Sequence, residues 1–331
     1  MDYQQLAKIE LHCHLDGSVR PQTIRDLAEQ SGVSVPDDEQ VLLDLLVAPE
    51  DCQNLDEYID CFKLPIQLMQ TEEALERISF ELYEDAAQEN VKYQEVRFAP
   101  LLHTRNGLSV EQIIDSVIRG MQRAEQQYDI KGNYILSIVR NMPTDNVKAM
   151  LDAGKTWLNN GVVAFDIAGG EQPDFSAKYT EFTRYAAQLG YRLTVHAGEQ
   201  WYGKNVLDAV TLLGAERIGH GVYIKDHQAA YDMVKQQAVA LEVCPTSNVN
   251  TKCIESLPQH PIADFYHDGV VVTINTDNRT VSNTTMTDEV RKVMETFDLT
   301  IDDYYAIYRH SVGNAFASDS VKQHLLSYIP R

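Results

Sequence analysis

Short apolar, β-branched runs recur along the chain, and the stretches between them repeat on a longer period. The runs read "AKIELHCH", "YQEVRFAP", "NYILSIVR", "VVAFDIAG", "YRLTVHAG", "RIGHGV", "AVALEVCP" and "VVVTINTD". Each is short and rich in β-branched residues, as a strand is. Between them lie amphipathic segments such as "VEQIIDSVIRGMQRAEQQY" and "KYTEFTRYAAQLG", the second stopping at Gly190. Strand alternating with helix eight times predicts an α/β fold, a (β/α)8 TIM-type barrel. A doubly wound sheet is the alternative. It would want a glycine-rich phosphate loop after the first strand, and "HLDGSVRP" is not one.

One interval breaks the rhythm. Roughly seventy-five residues separate the first and second runs, which predicts a helical insertion after strand one. Within it Leu55, Tyr58, Ile59 and Phe62 fall on one helical face, and Pro65 is expected to kink or end that helix. The face suits either ordinary core packing or an apolar lid over the barrel mouth. After strand eight, further helices are expected. No Pro-, Gly- or Ser-rich linker interrupts the 331 residues, so one domain spanning 1–331 is expected.

Charge and cysteine content narrow the function. The net charge of −21 opposes binding to nucleic acid and favours a neutral or cationic small molecule. No run is long and apolar enough to suggest a membrane span, and the polar start "MDYQQLAKIELH" lacks the features of a secretory signal. Cys13, Cys52, Cys61, Cys244 and Cys253 form no C-x-x-C pair and are odd in number, so free thiols in a cytoplasmic protein are expected.

Chemistry gathers at the carboxyl ends of the predicted strands, where barrels build their active sites. In "ELHCHLDG" the alternation of a strand puts His12 and His14 on one face and turns Cys13 to the other. Two imidazoles so placed are half of a zinc site. "TVHAGE" adds His196 and Glu199, "RIGHG" adds His220 between two glycines, and "INTDN" adds Asp277. Any one alone would serve as a cap or a buried hydrogen-bonding group; together, at four strand ends, they predict a metal site. Imidazoles with one carboxylate suit zinc or a similar divalent ion. Glu199 and His220 are placed for proton transfer.

In this order, "HCHLDG", "DIAGGE", "TVHAGE", "RIGHG", "LEVCPTSN" and "INTDN" resemble the adenosine deaminase family of the amidohydrolase superfamily, over about residues 8–290. The resemblance implies one zinc ion per chain, held by His12, His14, His196 and Asp277. It implies that Glu199 protonates N1 of a purine, that His220 orients and deprotonates the attacking water, and that Asp277 also orients it. Gly169 would meet the ring through its backbone amide, Asp16 would lie near the ribose 5′-hydroxyl, and His14 near the sugar. The implied reaction is attack of the metal-activated water at C6, turning adenosine or 2′-deoxyadenosine into inosine or deoxyinosine plus ammonia. Family members commonly carry a second aspartate after the zinc-binding one; here that position is Asn278, whose amide can donate to N7. Arg279 beside it is read chiefly as a structural ion pair. The partner is a purine nucleoside, with no nucleic acid and no membrane; the oligomeric state stays open. Alternatives are a sister deaminase acting on adenine, an aminofutalosine-type nucleoside or an N6-modified adenine nucleotide, a two-metal amidohydrolase, and a zinc-binding protein without catalysis. "DIAGG" lacks the lysine that would bridge two metals, and no H-x-E with P-C-x-x-C marks a cytidine-type deaminase.

Overall fold

The computed structural model describes residues 1–49, 52 and 55–330. Eight parallel strands follow one another around a barrel in chain order. They are β1 Lys8–His14, β2 Val91–Phe98, β3 Lys131–Val139, β4 Val162–Ala168, β5 Arg192–Ala197, β6 Arg217–His220, β7 Ala240–Val243 and β8 Val272–Ile274. All eight coincide with the apolar runs. The barrel closes just beyond β8, where the His14 amide donates to the Asp277 carbonyl at 2.7 Å and the Asp277 amide to the His12 carbonyl at 2.9 Å. The seam that seals the barrel is thus made by predicted metal-site residues.

The two faces of the strands differ in chemistry. Outward side chains such as Cys13, Val96, Phe98, Leu136, Phe165, Ile167, Leu241 and Val243 form one apolar core with the surrounding helices. Inside, apolar layers give way to charge. Arg97 donates to Glu242 at 2.7 Å, and Arg217 bridges Glu242 and Glu95 at 2.6 Å each. The Phe316 ring lies 3.7 Å from the Arg217 guanidinium and closes the lower end.

The insertion after β1 holds α1 (Pro21–Ser31), α2 (Glu39–Leu46), α3 (Leu55–Asp60) and α4 (Lys63–Leu68), before α5 (Glu72–Gln88) crosses to β2. The single helix expected over 55–62 is in fact broken. α3 ends at Asp60, and Pro65 sits in the first turn of α4, where its missing amide has no helical acceptor to serve. Phe62 therefore lies between the two helices. After β8 come the expected closing helices, Met286–Thr296, Ile301–Asn314 and Asp319–Leu325. Tyr308 and Val312 of the second pack against Ile9 and Leu11 of β1. Among the described residues no helix is long and apolar enough to cross a membrane. The five cysteines are buried, and none forms a disulfide among the described residues.

Candidate active site

The strand ends frame a cavity of about 490 Å³ at the carboxyl end of the barrel. Its floor carries His14, His196, Glu199, His220 and Asp277. Asp16, Gly169 and Asn278 stand on its walls, and Leu55, Tyr58, Ile59 and Phe62 form its roof. The apolar face therefore covers the mouth, while Leu55 and Tyr58 also pack in a small buried cluster with Ala48, Cys61 and Val281. His12 lies just beneath the floor, fully buried.

The predicted ligands converge. His14 Nε2 lies 3.2 Å from His196 Nε2 and 3.3 Å from Asp277 Oδ1, and His12 Nε2 lies 3.4 Å from the same oxygen. The His12 and His196 rings are each aimed by a partner on the far side. His12 Nδ1 donates to Glu242 Oε2 at 2.9 Å, and His196 Nδ1 donates to Asp166 Oδ1 at 3.0 Å. A neutral imidazole that spends its proton on a carboxylate leaves Nε2 bare. The Nε2 of His12 is buried with no hydrogen-bond partner. Bare lone pairs packed this closely around a carboxylate oxygen repel one another, and a divalent cation resolves the clash; the donor set fits the zinc expected from the sequence. His220 also reaches into the group: the ligand atoms of His12, His196, His220 and Asp277 all lie within 4.8 Å of one another. The floor is held at some strain. His220 and Asp277 have φ of 64° and 61°, a left-handed conformation non-glycine residues rarely adopt. At Gly219 a side chain would meet the His12 ring at 2.8 Å, so glycine lets β6 approach that ligand.

Glu199 sits on the loop after β5, and that loop is pinned by Glu171. The Glu171 carboxylate accepts the backbone amides of Gly198, Glu199 and Gln200 at 2.8, 3.0 and 2.9 Å, and the Asn205 amide at 2.7 Å. Arg140 ties the same region to β4, donating to the carbonyls of Gly169 and His196. Glu199 is buried, and desolvation, reinforced by the negative charges of Asp277 and Glu171, pushes its carboxyl up to about 8. It is thus a protonated acid at neutral pH, 3.8 Å from His220 Nε2. Burial, with His12 nearby, holds His220 neutral by lowering its pKa well below the usual histidine value.

The walls depart from expectation in one detail. Asn278 does face the cavity, but its Nδ2 donates at 2.9 Å to the hydroxyl of Tyr58, which bonds Ser282 Oγ at 2.7 Å. One amide hydrogen is therefore committed to the roof. Asn278 Oδ1 lies so near Gly17 that a Cβ there would stand 1.8 Å away. Asp16 is buried, with Oδ1 unpartnered, and desolvation raises its carboxyl to about 6. Arg279 turns away and pairs with Glu89, the structural ion pair anticipated for it. Sequence reasoning missed Glu242, Asp166, Glu171, Arg140 and the hydroxyl role of Tyr58. "DIAGGE" contained Asp166 and Glu171. Nothing in the pattern of apolar positions marked Glu242 or Tyr58 as polar partners of the site.

The family profile described as "Adenosine deaminase" matches residues 7–331. The chain belongs to the adenosine deaminase family. A protein of Vibrio atlanticus (strain LGP32) named "Adenosine deaminase" is 64% identical over 329 residues, 99% of each chain. Among solved structures, the adenine deaminase of Arthrobacter aurescens shares the fold, with a TM-score of 0.91 at 24% identity over 98% of both chains. A Burkholderia ambifaria amidohydrolase with bound Zn has a TM-score of 0.87 at 25% identity, covering 98% of this chain and 90% of its own. Membership of the family agrees with the (β/α)8 barrel and with the buried His/Asp group of its floor.

Proposed function

We propose that the chain hydrolyses adenosine and 2′-deoxyadenosine to inosine and deoxyinosine, releasing ammonia, with one zinc ion held by His12, His14, His196 and Asp277. One observation carries the reading: Glu199, buried and with its carboxyl pushed up to about 8 by desolvation, stands over the same floor on which the imidazole nitrogens and Asp277 converge. When bound, such an ion lowers the pKa of a water towards neutrality.

The residues of the chain supply the remainder. Addition at C6 of a purine breaks aromatic conjugation, so the ring must receive a proton as it receives electrons. Glu199 donates its proton to N1, the task for which a raised pKa equips a carboxyl. Asp277 and His220 flank the place of the attacking water and orient it. Gly169, on the wall, meets the ring through its backbone; Asn278 offers its remaining amide hydrogen to N7; Asp16 and His14 contact the sugar. The apolar roof excludes water from the reacting centre.

Other parts of the reading have their own support. The absence of lysine at the end of β4 favours one metal over two. The excess of acidic residues favours a nucleoside over nucleic acid. The buried cysteines, with no disulfide among the described residues, suit the cytoplasm. The named relative at 64% identity favours adenosine over adenine, whose deaminase shares the fold at 24%. The test is an ultraviolet assay on adenosine, deoxyadenosine and adenine, with and without a chelator. Metal-dependent loss of the adenosine absorbance is expected; turnover of adenine alone, or turnover indifferent to prolonged chelation and dialysis, overturns the reading.

A further inference from the structure

His220 differs from the other floor histidines in what holds its far side. The short helix Pro245–Asn250 after β7 places Asn248 Nδ2 3.1 Å from His220 Nδ1. The Asn248 Oδ1 faces His260 Nε2 at 3.2 Å, and the Ile262 backbone amide donates to His260 Nδ1 at 3.1 Å. His220, Asn248 and His260 are buried, with relative exposures of 1%, 0% and 2%.

The proton positions follow in sequence. A backbone amide is only a donor, so His260 Nδ1 must offer a lone pair. Burial drives the His260 pKa down to about 3, so the ring is neutral and carries its one proton on Nε2. That N–H needs an acceptor, which fixes Asn248 with Oδ1 towards His260 and the amide nitrogen towards His220. The amide donates, so His220 Nδ1 is the acceptor and the His220 proton lies on Nε2. His12 and His196 are the reverse, with Nδ1 protonated and Nε2 bare. Turning the Asn248 amide over would require His260 to accept at both nitrogens, which a neutral imidazole cannot do.

We propose that His260 and Asn248 are positioning residues that set the tautomer of His220, so that His220 donates a hydrogen bond to the attacking oxygen instead of removing its proton. This rests on the deaminase reading above. It separates His220 from the metal ligands, which need a bare nitrogen, although its ring lies in their midst. It also reassigns the proton. As the oxygen bonds C6, the C6–N1 double bond opens onto the proton from Glu199, and the water's proton passes to the Asp277 carboxylate. His220 keeps its own.

The test exchanges an amide for a carboxylate. Asn248→Asp can accept from both neighbours, so the His260 contact survives while His220 is driven to carry its proton on Nδ1. In the zinc-loaded enzyme labelled with ¹⁵N-histidine, the His220 signal, assigned by its loss in His220→Gln, is expected to show a protonated Nε2 and a bare Nδ1. Asn248→Asp is expected to reverse that pattern and to lower kcat by about a hundredfold, the usual effect of losing one aimed donor, with KM within about threefold. A protonated Nδ1 at His220 in the unaltered enzyme, or Asn248→Asp turnover within twofold of it, overturns the proposal. Should Asn248→Asp fail to fold, the spectrum of the unaltered enzyme decides alone. That spectrum reads the tautomer whether or not adenosine is the substrate, whereas inactivity on adenosine sinks the deaminase reading itself.

Discussion

The floor of the cavity is made of strand ends, and its roof of two short helices in the long β1–β2 insertion. On the floor, His12, His196 and Glu199 are each held from behind by a carboxylate, Glu242, Asp166 and Glu171 respectively. The roof packs through a small apolar cluster of its own, which includes Leu55, Tyr58 and Cys61, and it reaches the floor's rim through the Tyr58 hydroxyl. Barrel strands cannot move singly without breaking the ladder on both sides. Short helices with few core contacts can. If the floor carries the chemistry and the roof shapes substrate binding, substitutions in each region should leave different kinetic signatures.

The largest effect is expected at the floor. Glu199→Gln keeps the shape and removes the acid, so turnover should fall by about a thousandfold while zinc content stays at that of the unaltered chain. Near-normal turnover would remove the acid from the account. Next is Glu242→Gln, which deprives His12 of the carboxylate that fixes its ring. Zinc affinity, measured by competition with a chromogenic chelator, should weaken by about ten- to a hundredfold; unchanged affinity would reduce the interior carboxylates to a structural role.

The pH profile offers a subtler check. Glu199, raised to about 8, is protonated below that pH and loses its proton above it. Activity that depends on the protonated form is therefore present at neutral pH and falls by about tenfold per unit as pH rises past that value. An alkaline limb that survives in Glu199→Gln with unchanged position would show that another group causes it. The smallest effect belongs to the roof. Tyr58→Phe strips the hydroxyl that binds Asn278 and Ser282, worth about 1 kcal/mol. KM should rise by roughly fivefold with kcat little changed. An equal fall in kcat would erase the distinction between roof and floor.

The same contrast explains what could be read from the sequence. Strand periodicity alone paired His12 with His14 and turned Cys13 into the wall, because a two-residue repeat is local. The eight strands were legible for that reason, and so were the strand-end positions of His196, His220 and Asp277. The supports were not. Glu242 stands 230 residues from the His12 it holds, and no local pattern connects them. Inward-facing Arg97 and Arg217 sit in strands whose alternation looks ordinary, yet they fill the barrel with charge where apolar layers are usual. Tyr58 counted as one apolar position among four, and only the fold brings its hydroxyl to Asn278. The break between α3 and α4 escaped notice because the apolar spacing runs on through Phe62, while the proline that follows is accommodated in a new first turn.

Anomalous diffraction at the zinc edge from crystals of the zinc-loaded protein tests the central claim most directly. The account predicts one peak per chain, about 2.0–2.2 Å from Nε2 of His12, His14 and His196 and from an Asp277 oxygen, with His220 Nε2 beyond bonding distance. A peak elsewhere, two peaks on the floor, or a site that excludes His14 in favour of His220 would contradict it.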